Sequence, residues 1–382
     1  MIDTIEAARL SDWLSKLVQM PSVTPHQAGP RAGTVGEGRI AAQLAEWFAA
    51  LGGEVHVDEV LPGRPNVMAI FRGESDRWLA MDTHTDTVGV EQMVGDPFSG
   101  RVDDGRLYGR GSADTKGTLA VTLALLEAMQ KARVKPAHYL LIAATVDEEV
   151  GAQGAPAFAR WVRAQGIQLD QLIVAEPTMC GPVYGHKGLS RLRFEVRGKP
   201  AHSSQPQLGQ NAITAAAKLV LALEDEANRL LSQAVTTALG AATLTVSLIS
   251  GGRGINVVPD SCEISLDRRV LPDEKPAQVS AALIALAQQN CPLPIDVTTL
   301  AEVDAFLQSP DTEWIHQLAD WSGRAPDVAP YCTNAWAYGG LARACVILGP
   351  GNIEQAHGTQ EWVEVSQLEK LARMYSRWWG IA

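Results

Sequence analysis

The sequence predicts an α/β fold, a mainly parallel sheet interrupted by a smaller α+β insert, and three observations carry that prediction. Short apolar runs at 78–81, 139–146, 172–175 and 344–348 alternate with stretches of helical period, the pattern of buried strands linked by helices. From about Leu189 the texture changes to alternating apolar and polar residues, as in strands with one solvated face. The first texture then returns and closes the chain, so the alternating segment reads as an insert.

Taken in order, Ile5, Leu10, Trp13, Leu14 and Leu17 recur at near-helical spacing with charges between them, unlike the continuous apolar core of a signal peptide. Ile40, Leu44, Trp47, Phe48 and Leu51 repeat the helical period, and Gly52 supplies a left-handed stop. Helices are also predicted over 116–131 and 155–164, between the apolar runs. In the insert, LSRLRFEVRG reads as a half-exposed strand, followed by a helix over 211–231 and strands over 242–249 and 262–269. A helix over 277–289 and a strand over 295–300 complete a β-α-β-β-α-β order, which suits an antiparallel sheet with helices on one face. The expected boundaries are 1–187 for the first part of the main domain, 188–303 for the insert and 304–382 for the second part.

At 382 residues and 46% hydrophobic, the chain is long enough to bury a sizeable core in two domains. A formal charge of -11, with no Lys/Arg cluster, opposes binding to polyphosphate backbones, so nucleic acid is not an expected partner. No window approaches the length of apolar chain needed to span a bilayer, and no membrane association is expected. The five cysteines are odd in number, widely spaced and without a CxxC pair, so free buried thiols in a reducing cytoplasm are expected.

The chemistry is carried by His84, Asp114, Glu149, Glu176 and His357. MDTHTDTV leads from strand-like residues into His84 and Asp86, a pair in which the carboxylate can orient the imidazole. In LYGRGSADTKG, glycines flank Asp114 just before an apolar helix, so a tight loop can aim that carboxylate inward. ATVDEEVGAQG ends a buried run with Glu148 and Glu149, whose mutual repulsion is relieved if one binds a metal and the other moves a proton. IVAEPT sets Glu176 between an apolar strand and Pro177, and ILGPGNIEQAHGTQE places His357 in a Gly/Pro-rich loop after another. The insert allows His357 to return to the sheet that carries the other four, and sites in open α/β sheets form at the carboxyl ends of strands. Two imidazoles and three carboxylates can hold a pair of divalent ions with one carboxylate bridging. With no thiolate in the set, zinc is expected, with cobalt or manganese as alternatives.

This ordered set, spread from about Pro21 to His357, resembles the M20 family of di-metal amidohydrolases and peptidases. The resemblance implies a metallohydrolase domain with an inserted lid and dimerisation domain. It makes Asp114 the bridging ligand, His84 and Glu176 ligands of one ion, and Glu149 and His357 ligands of the other. Asp86 would orient His84 and Glu148 would be the general base. GKPAHSSQPQLGQNAI is similar to the family's dimerisation motif, so His202 is expected to reach the partner subunit's site and stabilise the oxyanion. A nucleophilic Ser203 or Ser204 is the rival, without a Ser-His-Asp order to support it. Asn256 and Arg269 align with positions that hold the substrate carboxylate, with a surface ion pair as the alternative for Arg269.

YCTNA and LGPGNIEQAH are most similar to the acetylornithine deacetylase branch, which implies removal of an acyl group, acetyl first, from an N-acyl amino acid in arginine biosynthesis. Thr333, Asn334 and Gly351 would line the substrate pocket. Asn334 stands where that branch carries an acidic residue, which points away from a basic side chain toward a neighbouring N-acyl amino acid. A carboxypeptidase or dipeptidase on the same metal site is the alternative activity, and a binding-only scaffold is the alternative outside enzymes. A homodimer formed through the lid domain is the expected assembly.

Overall fold

Leu10, Trp13, Leu14, Leu17 and Val18 fall on one side of helix α1 (Ala7–Val18) and are buried, as the spacing of apolar residues predicts. Helix α2 (Gly38–Ala50) buries Ile40, Ala41, Leu44 and Phe48 in the same way. The structure is a computed structural model that describes residues 2, 5–233 and 237–382. Its chain divides into two units, one of Met1–Tyr184, Gln308–Asp327 and Thr333–Ala382, the other of Gly185–Leu307 and Val328–Cys332.

In the first unit, β1 (Glu54–Leu61) and β2 (Arg64–Phe71) form an antiparallel hairpin turned at Gly63. Strands β3 (Ser75–His84), β6 (His138–Thr145), β7 (Leu169–Val174) and β15 (Ala342–Ile347) pair in parallel in the order β6-β3-β7-β15. The hairpin adds antiparallel through β2 to β6, so the sheet is parallel at its centre and mixed overall. The difference from a largely parallel sheet arises because a two-residue turn can only join antiparallel neighbours, whereas the central strands are linked by crossovers. Helices α3 (Lys116–Ala132) and α4 (Gly154–Ala164) make two of those crossovers. A small antiparallel sheet of β4 (Arg101–Asp103), β5 (Arg106–Tyr108) and β16 (Trp362–Glu364) brings the segment before Asp114 beside the segment after His357. The C-terminal α8 (Val365–Trp378) buries Leu368, Leu371, Tyr375 and Trp378 in the same core as α1 and α3.

The second unit is a four-stranded antiparallel sheet in the order β10-β11-β9-β12, from β9 (Gly188–Arg197), β10 (Thr243–Gly251), β11 (Ser261–Val270) and β12 (Ile295–Val303). Alternate residues Leu192, Phe194 and Val196 of β9 are fully buried against α5 (Ala212–Leu231) and α6 (Pro276–Asn290). Asn211 caps α5 by accepting from the Thr214 amide at 3.0 Å. At the outer edge, β10 exposes Leu248 and Ile249.

Candidate metal centre

His84 is the last residue of β3, and Glu149 and Glu176 lie in the loops that follow β6 and β7. Three of the five residues thus leave adjacent parallel strands at their carboxyl ends, where one edge of the sheet collects them. Asp114 comes from the loop before α3. Gly109 in that loop has φ 141, and a Cβ there would lie 2.4 Å from Val18, so only glycine lets the loop close on α1. His357 comes from the loop after β15, also with a left-handed backbone at φ 60.

The geometry turns on Asp114. Its Oδ1 lies 2.9 Å from His84 Nε2 and its Oδ2 lies 3.3 Å from His357 Nε2. His357 Nε2 is also 3.0 Å from Glu149 Oε2. The donors therefore form two groups, His84–Asp114–Glu176 and Asp114–Glu149–His357, each with ligand atoms within 4.8 Å of one another. One carboxylate shared between two triads of imidazole and carboxylate is a donor set for two adjacent borderline or hard divalent cations. Glu148 is in neither group.

Electrostatics point the same way. Burial raises the pKa of Glu149 to about 7, reinforced by Asp114, and His357 and His84 only partly offset it. Burial drives Glu148 and Glu176 well above the carboxylate range, helped in both by Asp114. For His357, hydrogen bonds to Asp114 and Glu149 outweigh burial and hold the imidazole at about 10. Burial opposes charge on His84, yet hydrogen bonds to Asp114 and Asp86 keep it well above its ordinary value. Carboxylates packed so closely raise one another's pKa, and divalent charge among them reverses that effect.

The framework around these residues is largely one the sequence motifs did not single out. Asp86, expected to orient His84, meets His84 Nδ1 with its carbonyl oxygen at 3.1 Å and its carboxylate at 3.6 Å. The Asp86 carboxylate also accepts the Glu148 and Glu149 amides at 3.1 and 3.0 Å, fixing the turn that presents both glutamates. Asp147 begins that turn at φ 66, held by Arg64 at 3.0 Å and by its own amide on Glu37 at 3.0 Å. Glu361, buried, accepts the Ala113 and Asp114 amides at 3.0 and 3.1 Å and pairs with Arg110 at 2.7 Å. Arg110 also donates to the carbonyl of Gly358, so one ion pair ties the Asp114 loop to the His357 loop. The only sequence signal for Glu361 is an acid in the same loop as His357.

The expected pocket residues of this unit are placed differently. Thr333 and Asn334 are sealed from solvent at 1% and 2% exposure. Thr333 accepts the Ala335 amide, capping a short 3-10 turn. Asn334 donates to Asp82 at 3.0 Å and to Thr145 at 3.2 Å, and Tyr338 donates to the same Asp82 carboxylate at 2.6 Å. Asn334 is thus corrected from a pocket-lining residue to a partner of the buried Asp82, two residues before His84 on β3. Gly351, at φ 90, packs where a Cβ would lie 2.8 Å from that of Ala113, so its role is to seat the loop against the Asp114 segment.

In the second unit, His202 and Asn256 sit on paired segments: Ser203 N donates to Asn256 O at 3.0 Å, and both side chains are exposed. Arg269 Nε is bonded to Asp267 at 2.7 Å, the ion pair that was the alternative reading for this residue.

The model of Peptidase family M20/M25/M40 matches residues 80–380. The chain belongs to that family. This M20 hydrolase is 32% identical over 352 residues to a protein named acetylornithine deacetylase from Aliivibrio salmonicida, covering 90% of this chain and 91% of that one. The M20 family metallo-carboxypeptidase Sso-CP2 from Sulfolobus solfataricus has the same fold, with a TM-score of 0.79 at 18% identity over 95% of this chain and 97% of that chain. A Bacillus subtilis protein, YXEP, described as a dinuclear metal binding peptidase of the M20 family, superposes with a TM-score of 0.63 at 14% identity over 98% of this chain and 99% of that one. Both likenesses speak for the fold, and the shared Asp114 gives this chain its own reason to bind metal.

Proposed function

We propose that this M20 hydrolase is a two-metal amidohydrolase that removes an acyl group, acetyl first, from an N-acyl amino acid. The observation that carries the reading is Asp114 shared between the two donor triads with Glu148 beside them and bound to neither. The name of the Aliivibrio relative supports the N-acyl amino acid as substrate. His84, Asp114 and Glu176 would hold one ion and Asp114, Glu149 and His357 the other, zinc in the first instance. When bound, two such ions acidify water and polarise the scissile carbonyl.

The chain's own residues then have distinct tasks. Glu148, whose burial and acidic neighbours raise its pKa, takes the proton from the attacking water and returns it to the departing amine. Asp86 and the Arg64–Glu37–Asp147 cluster hold the turn that aims it. His202 stabilises the tetrahedral oxyanion, and Asn256 and Arg269, the latter exchanging its ion pair with Asp267 for the ligand, hold the substrate carboxylate.

Homodimerisation is part of the proposal, with His202 acting on the partner subunit's centre. It is supported by β10, an edge strand that exposes Leu248 and Ile249 at 68% and 56%, surface of the kind that pairs with a second copy. If His202 acts in trans, mixing His202→Ala chains with Glu148→Gln chains, each inactive alone, restores a fraction of wild-type activity. No recovery in mixed dimers verified by mass would sink the trans assignment. A cytoplasmic location is supported by Cys180, Cys262, Cys291 and Cys345, four buried free thiols. Among the described residues no helix is long and apolar enough to cross a membrane.

The test of substrate class is a panel of acetylated, succinylated and formylated amino acids beside dipeptides, with enzyme reconstituted in zinc, cobalt or manganese. N-acetyl amino acids, acetylornithine among them, are expected to give the highest kcat/KM. Higher kcat/KM on dipeptides would replace this reading with the peptidase one.

A further inference from the structure

Two segments of the second unit frame His202. Val258 N donates to Ala201 O at 2.8 Å and Ser203 N to Asn256 O at 3.0 Å, so the backbone is fixed on both sides of the histidine. Gln205 N closes the turn on His202 O at 2.9 Å. Inside this turn His202 Nδ1 lies 2.7 Å from Ser204 Oγ and 3.2 Å from Ser204 N. A backbone N–H can only donate, so Nδ1 must face it with a lone pair, and the hydroxyl can donate to the same nitrogen. A neutral imidazole with an unprotonated Nδ1 carries its hydrogen on Nε2.

We infer that Ser204 is a positioning residue that holds His202 as the Nε2–H tautomer and so presents an outward hydrogen-bond donor. The inference rests on the oxyanion role proposed for His202 and supplies its physical basis: an oxyanion needs a donor, and the tautomer is set before the substrate arrives. It also separates this arrangement from a Ser–His nucleophile. A Ser–His nucleophile would need a third group to orient the imidazole, and no carboxylate is hydrogen-bonded to Nε2 among the described residues.

The test uses the zinc-loaded protein with 15N-labelled histidine, read by long-range 1H–15N correlation. The His202 ring is assigned by its loss in His202→Asn. The wild-type ring is expected to show the pattern of a protonated Nε2 and bare Nδ1, and a protonated Nδ1 in the neutral ring would overturn the inference. Ser204→Ala is expected to weaken that bias and lower kcat by roughly five- to tenfold, the worth of one hydrogen bond, with KM nearly unchanged. Ser204→Thr, which keeps the hydroxyl, is expected to restore kcat. An unchanged spectrum and kcat in Ser204→Ala would overturn the positioning role of the hydroxyl and leave the Ser204 amide alone to set the tautomer, and if that variant does not fold the wild-type spectrum decides alone. Full activity in His202→Ala would remove the oxyanion role while leaving the tautomer result standing, so the two failures are distinguishable.

Discussion

Glu148→Gln is expected to lower kcat by roughly a hundred- to ten-thousandfold, the range for loss of a general base, while the enzyme keeps its full complement of bound metal. The separation of these outcomes follows from position. Glu148 lies outside both donor triads, yet Asp86 holds its amide 3.1 Å away, in the same turn as Glu149. Glutamine preserves the shape of the side chain and can neither take nor return a proton. KM should change little, because nothing in the proposal asks Glu148 to hold the substrate. Kinetics paired with metal analysis of the same preparation checks the result. Metal content that fell together with kcat would make Glu148 a ligand and reverse the division of the glutamate pair.

Asp114→Ala is expected to weaken both metal sites at once and to lower kcat/KM by roughly a thousandfold or more, since the several kcal/mol that a metal contributes to charge stabilisation is forfeited. His357→Ala and Glu176→Ala each remove a ligand of one triad only and should leave about one ion per chain under the same chelator. Equal metal content in all three variants would refute the bridging role, with circular dichroism confirming that each is folded. The electrostatics add a direction. Glu149 at about 7 and His357 at about 10 hold protons near neutral pH in the metal-free protein, and a cation must displace them. Metal binding at neutral pH should therefore release protons, and affinity should rise as pH increases from about 6 to about 8. Calorimetry in buffers of different ionisation enthalpy measures that release.

The elements of the fold were largely legible because their signals are local. The apolar periods of α1, α2, α3 and α5 and the alternation in β9 depend on neighbours a few residues away. The β1–β2 hairpin and the small sheet of β4, β5 and β16 were not anticipated. Strand β1 has no buried residue and β4, β5 and β16 are only three residues long, so these four carry little hydrophobic pattern, whereas β2 carries a largely buried apolar run at 67–71. The metal donors were legible for a different reason: each closes or follows an apolar strand or flanks a glycine-rich turn, and their residue types are those a divalent cation takes.

What the sequence determined by itself is the inventory: an α/β frame with an α+β insert, five donors in order, and a pair of glutamates with one proton-transfer role between them. Only the tertiary structure decided how these are used. It showed that Asp114 turns one oxygen to His84 and the other to His357, and that Asp86 serves the Glu148–Glu149 turn as well as His84. It also moved Asn334 from the substrate to Asp82, across 252 positions of sequence. The physical reason is common to all three. The partner of a carboxylate or an amide is chosen by distance across a folded sheet edge, where residues far apart in the chain meet within about 3 Å, and no local pattern encodes that meeting.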